Sequence, residues 1–190
     1  ASGVRPPLPG IDSAGVMELR TVDDGIELDR TIAEGAKRAV VVGAVSIGIE
    51  VAEALLARGL EVSVVELADA AMATTLDPDM ASEVTDALRD AGADVLLGAG
   101  VEGFESTDGR LAAVVAGERS IPADVAVLGL GVTANSGLAA AAGIEVGSAG
   151  GIVVDERMHT SADGVWAAGD CVESRNRVTG ESMVVALGTH

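Results

Sequence analysis

Apolar and polar positions along the chain fall into stretches of two different periods. Residues 38–43, "RAVVVG", form a short, β-branched apolar run, the pattern of a strand buried on both faces. Ile47, Val51, Ala52, Leu55 and Leu56 then recur at helical spacing, and Gly59 stops that helix. Residues 61–66, "EVSVVE", return as a strand. Strand, helix and strand in this order predict a parallel βαβ unit with a right-handed crossover. Upstream, Pro6, Pro7 and Pro9 stiffen a linker. Residues 21–35 then read as a helix, with Thr21 as N-cap, Asp23 and Asp24 in the first turn and Gly35 as stop.

Downstream, residues 76–92 predict another helix, with Asp77 as N-cap and Pro78 at its first position, and 94–98 a strand. The period then changes. Residues 101–106, 110–117 and 119–123 alternate and are broken by Asp108-Gly109 and Gly117-Glu118, which predicts an antiparallel meander used as a crossover in place of a helix. Residues 124–131 return as a buried parallel strand, 136–143 as a short helix, and short strands lie around 150–155 and 164–170. The pattern therefore predicts an α/β fold: a Rossmann-like three-layer domain with a parallel sheet and an antiparallel β-meander crossover.

Composition narrows the possibilities. With 190 residues, 48% of them hydrophobic, the chain suits one globular domain with flanking pieces or two small domains. No run approaches the roughly 18 apolar residues of a membrane span, and no signal peptide opens the sequence. The net charge is −18, with Lys37 the one lysine among twelve basic residues. Such a surface repels nucleic acid and anionic membranes, so neither is an expected partner. An acidic, lysine-poor surface suits a salt-loving organism; a GC-rich genome produces the same bias. Cys171, the single cysteine, excludes an internal disulfide and a C-x-x-C pair, and the expected setting is the cytoplasm. His159 and His190 lack partners at metal spacing, so no metal site is expected, and Cys171 is expected to be structural.

The candidate chemistry sits in the βαβ unit. The dinucleotide fingerprint G-x-G-x-x-G is met here by Gly43, Ala44, Val45, Ser46, Ile47 and Gly48, so its middle glycine is a valine. Gly43 ends a buried strand and Gly48 opens a helix, which turns backbone N–H groups and the helix dipole toward one spot. Glu66 ends the next strand 23 residues after Gly43, where a carboxylate accepts hydrogen bonds from the adenosine ribose. Leu67, Ala68, Asp69 and Ala70 follow it without an arginine, which favours NAD over NADP. The alternative from the residues alone is a βαβ unit without a ligand.

Four further segments carry a resemblance. "ASG" at Ala1–Gly3, "VVVGAVSIGIEVAEAL", "LGLGVTAN" and above all "TSADGVWAAGD" at Thr160–Asp170 make the chain similar to the flavin-dependent pyridine nucleotide-disulfide oxidoreductases. "LRTVDD" and the terminal "ALGTH" lean toward the branch of NADH oxidases, NADH peroxidases and coenzyme A-disulfide reductases. The resemblance spans nearly all residues and implies a fragment: residues 1–17 as a crossover from a truncated FAD-binding domain, 18–142 as the NAD-binding domain, and 143–190 as the return segment of the FAD-binding domain. It implies NAD(H) in this chain and FAD in the parent enzyme, a homodimeric parent, and hydride passing from NADH to FAD and on to oxygen, peroxide or a disulfide. By the same resemblance Gly43 and Gly48 are the turn and helix-packing glycines, and Glu66 binds the ribose. Glu50 lies near the nicotinamide, as does the chain at Gly131, while Asp170 binds the flavin ribityl chain with Gly169 allowing close approach. Trp166 fills the motif's aromatic position and is expected in the core. Two departures are adjacent: Val45 stands where backbone should approach the pyrophosphate, and Ser46 where relatives often place an aromatic side chain over the flavin. No catalytic acid, base or thiol is expected in the chain. The alternative function is a degenerate, non-catalytic Rossmann module serving assembly or interaction.

Overall fold

A computed structural model describes residues 1–185. The "ALGTH" segment and His190 lie outside them. The chain divides into two compact units: Arg5–Gly131, and Ala1–Val4 with the residues from Val132 onward. The smaller unit opens with β1 (Ser2–Gly3). The larger one contains β2 (Val16–Glu18), α1 (Val22–Ala33), β3 (Arg38–Val42), α2 (Ser46–Ala57), β4 (Glu61–Val65), α3 (Pro78–Asp90) and β5 (Asp94–Leu96). The meander β6 (Val101–Thr107), β7 (Arg110–Ala116) and β8 (Arg119–Pro122) follows, and β9 (Val125–Leu128) closes the unit.

The five strands β2-β9-β3-β4-β5 form one sheet, parallel throughout. Successive side chains of β3 point to opposite faces. Ala39 and Val41 join Leu28, Val51, Leu55 and Leu88 in the layer packed by the helices. Val40 and Val42 join Phe104, Val114 and Ile121 in the layer packed by the meander. The fold is thus the three-layer α/β architecture that the pattern predicts, with the antiparallel β6-β7-β8 sheet as its third layer. The compact unit begins at Arg5, upstream of the expected edge at 17/18, because Ile11 and Val16 belong to the apolar layer under the meander.

Local sequence explains the helix starts. Thr21 caps α1 in a reciprocal box: its Oγ accepts from the Asp24 N–H at 3.2 Å, and Asp24 Oδ2 accepts from the Thr21 N–H at 2.7 Å. The Arg20 backbone N–H, which donates to Asp24 Oδ2 at 2.9 Å, followed by that of Thr21, holds the Asp24 carboxyl below its ordinary value. Asp77 occupies the N-cap of α3 without a side-chain bond to the turn.

In the smaller unit β1 pairs antiparallel with β10 (Val132–Thr133), and α4 (Gly137–Ala141) follows. β11 (Ile152–Val153) runs parallel to β12 (Val172–Arg175), which pairs antiparallel with β13 (Ser182–Met183). Trp166 corrects the expectation of a core residue. It is 59% exposed, and its ring lies 5.4 Å from that of His159 across an isolated antiparallel bridge. The physical reason is that Ala139 and Ile152 are the buried apolar side chains described in this unit, so it offers an indole little interior.

Candidate functional site

The βαβ turn lies at the C-terminal ends of β3 and β4, where open parallel sheets bind ligands. Three glycines make it compact. Gly43 has φ +98°, and a Cβ there would sit 2.5 Å from the Gly129 carbonyl oxygen. A Cβ on Gly48 would overlap the Gly43 carbonyl oxygen, and one on Gly129 would lie 3.1 Å from the Gly48 Cα. No side chain larger than hydrogen fits Gly48 without displacing the turn. Gly129 stands in the "LGLGVTAN" segment, but its contact with Gly43 and Gly48, some eighty positions upstream, is not legible there. Its signal was the glycine that ends the buried strand β9.

Val45 is the N-cap of α2, with φ −95° and ψ −179°. That is extended backbone, open to any residue. The substitution therefore leaves the turn unstrained, and its effect lies in the side chain, which lines the cavity described next. The start of α2 has neither a side-chain cap nor an acid in its first turn. Its N-terminal N–H groups receive no side-chain cap from the helix itself, and the carboxylate beside them comes from Glu66 at the end of β4.

Glu66 extends beside the turn. Its Oε2 accepts from the Ala44 N–H at 2.6 Å, and its Oε1 accepts from the Ala68 N–H at 2.9 Å. Both oxygens keep further acceptor capacity for hydroxyl groups. Gly43, Val45 and Glu66 share a cavity of about 360 Å³ with Leu67, Val101 and Leu130. Its walls are largely aliphatic, with Phe104 at the meander side. The meander and the loop after β5 were not singled out in the sequence, and nothing in their alternating pattern marks them as ligand-facing.

Ser46 and Ile47 are exposed on the first turn of α2, and Glu50 is exposed one turn further on. Gly131 ends the larger unit with φ +82° in open space. Gly169 and Asp170 belong to the smaller unit. Gly169 has φ +80°, and its carbonyl accepts from the Val172 N–H at 3.1 Å, which turns the chain sharply around a half-buried Asp170. Next to it the Cys171 thiol donates to the Ala168 carbonyl at 3.4 Å. His159 Nδ1 lies 2.9 Å from Asp155 Oδ2. The His159 backbone N–H, followed by its ring, holds the Asp155 carboxyl below its ordinary value. Among the described residues no cluster of three or more His, Cys, Asp or Glu is placed to hold a metal ion. No helix among them is long and apolar enough to cross a membrane.

The arrangement suits a ligand with an anionic centre for the α2 start, hydroxyl groups for Glu66 and flat apolar ends for the cavity. Comparison with known proteins supplies a family. Residues 1–188 match the family model for pyridine nucleotide-disulphide oxidoreductases. The chain is 38% identical over 185 residues to an NADH oxidase of Methanocaldococcus jannaschii, covering 97% of this chain and 41% of that protein. It is 35% identical to the epsilon subunit of the NADH-dependent phenylglyoxylate dehydrogenase of Aromatoleum evansii, covering 98% of this chain and 44% of that one. Among solved structures, an NAD-dependent persulfide reductase from A. fulgidus superposes with a TM-score of 0.95 at 38% identity, covering 98% of this chain and 35% of that chain. A water-forming NADH oxidase from Lactobacillus brevis bound to NADH superposes at 0.89 with 29% identity, covering 97% of this chain and 40% of that one. The chain spans less than half the length of each of these relatives.

Proposed function

The chain belongs to the pyridine nucleotide-disulphide oxidoreductase family, whose members are flavin-dependent NAD(H) oxidoreductases, and on that premise we propose that its larger unit is the NAD(H)-binding part of such an enzyme. The nicotinamide supplies a hydride that the flavin of the parent enzyme accepts. Everything the chain itself contributes is binding and orientation. Gly43, Gly48 and Gly129 hold the turn in shape, and the start of α2 faces the pyrophosphate with Val45 interposed. Glu66 accepts from the adenosine ribose, and the chain at Glu50 and Gly131 borders the nicotinamide end. In the smaller unit Asp170, beside Gly169, binds the ribityl chain of the parent's FAD. Oxygen, peroxide or a disulfide is the terminal acceptor.

The observation that carries this proposal is the pairing of a glycine-locked turn with the Glu66 carboxylate across one cavity. Because Glu66 is anionic and no arginine follows it, NADH is expected to bind at least about tenfold more tightly than NADPH, whose 2′-phosphate meets that carboxylate. Titration calorimetry of the chain with each nucleotide tests it. Equal affinities, or a preference for NADPH, place Glu66 away from the ribose; no binding of either favours the second reading. That reading is a non-catalytic Rossmann module kept for assembly, and the observation favouring it is the Val45 side chain in the cavity wall.

A further inference from the structure

The loop from β4 to α3, residues 66–77, holds the turn from outside. Ala44, the second residue of the turn, has both of its backbone polar groups taken by this loop. Its N–H donates to Glu66 Oε2 at 2.6 Å, and its carbonyl accepts from the Met72 N–H at 2.8 Å. Met72 reaches that carbonyl in the left-handed region, with φ +57°, a conformation that unbranched residues adopt at some cost and β-branched ones rarely. Its own carbonyl accepts from the Thr75 and Leu76 N–H groups at 2.8 and 3.0 Å, which folds the loop back on itself. The Met72 sulfur accepts a long hydrogen bond, 3.9 Å, from the Ser46 hydroxyl. One residue upstream, the buried Ala71 is tied to α3: its N–H donates to the Thr85 Oγ at 3.0 Å, and that hydroxyl donates to the Ala81 carbonyl at 2.8 Å. The loop is therefore anchored to α3 at one point and grips the turn at three others.

We propose that Met72 is a positioning residue of the dinucleotide turn: its left-handed backbone presses the loop's N–H onto Ala44 and fixes the turn before any nucleotide arrives. The turn contains a valine where a glycine is expected, and the brace keeps that altered turn in one shape. Ser46, which departs from the family pattern, gains a role as the side-chain partner of the brace. The ligand part of this inference rests on the NAD(H) reading above; the brace itself does not.

The test uses the full chain and begins without ligand. Amide hydrogen exchange is followed at residues 43–48 in wild type, Met72→Val and Met72→Asn. Valine resists the left-handed conformation and displaces the loop, whereas asparagine adopts it and keeps the N–H in place. Exchange at Ala44 is expected to rise about tenfold or more in Met72→Val and to stay within about twofold of wild type in Met72→Asn. Exchange at Val114, in the meander, is expected to be unchanged in both. Met72→Ala gives a smaller rise and replaces the valine variant if that chain does not fold. Unchanged exchange at Ala44 in Met72→Val and Met72→Ala overturns the proposal. So does equal acceleration in Met72→Asn, because the sulfur rather than the backbone would then hold the turn. Calorimetry with NADH and with adenosine follows. The valine variant is expected to weaken NADH about tenfold and to leave adenosine unchanged, and asparagine to restore NADH binding. Wild type binding neither compound refutes the dinucleotide reading, while the exchange result still decides the brace.

Discussion

At the scale of single residues, Val45 is the informative position. Its backbone is extended and unstrained, so the cost of losing the glycine is steric and local to the cavity. Val45→Gly is expected to tighten NADH binding at least tenfold, because each phosphate hydrogen bond regained to a charged acceptor contributes roughly 1.5–3 kcal/mol. Titration calorimetry of both proteins at fixed salt checks this, and equal affinities show that the turn accommodates valine. Much of the geometry of this candidate turn was legible in the sequence. Gly43, Gly48 and Glu66 announce themselves by spacing, since each is dictated by the local geometry of one βαβ unit. The contacts that Gly129 and Met72 make with the turn do not, because each joins it to a distant segment. Trp166 misled, since an aromatic side chain in an apolar motif does not reveal how little interior surrounds it.

At the scale of elements, strand order follows from where chain ends are tied. Asp124, just before β9, receives the backbone N–H groups of Lys37 and Arg38 at 3.0 and 2.9 Å and the Arg38 guanidinium at 2.7 Å. It thereby sets the register of β9 against β3. The Arg38 guanidinium, followed by the two backbone N–H groups, lowers the Asp124 carboxyl from 3.8 to about 2. A depressed carboxyl stabilises the fold fully above its unfolded value and loses that contribution as pH falls through the folded one. Asp124→Asn is expected to cost roughly 1–2 kcal/mol at neutral pH, after allowance for its one-third exposure. The difference from wild type shrinks between about pH 4 and pH 2, and thermal midpoints across that range check it. The helices and the meander were legible from periodicity. The pairing of β9 with β3 was not, because hydrophobic alternation states which face is buried and leaves the neighbour open.

At the scale of the whole molecule, a net charge of −18 works against compactness. Screening shortens the reach of that repulsion from about 10 Å at 0.1 M salt to about 3 Å at 1 M. The thermal midpoint is therefore expected to rise between low and molar KCl; no change would assign the acidity to codon bias. The sheet order β2-β9-β3-β4-β5 has a further consequence, in time. β9 fills the slot between β2 and β3, yet it is the last of the five strands to be synthesised, and Arg38 meets Asp124 across 86 residues. At ribosomal rates of about 5–20 residues per second, several seconds separate the emergence of β4 from that of β9. Throughout that interval the nascent chain carries β3, Arg38 followed by four apolar residues, with one edge unpaired. The slot is one that a neighbouring nascent chain or a chaperone can reach first.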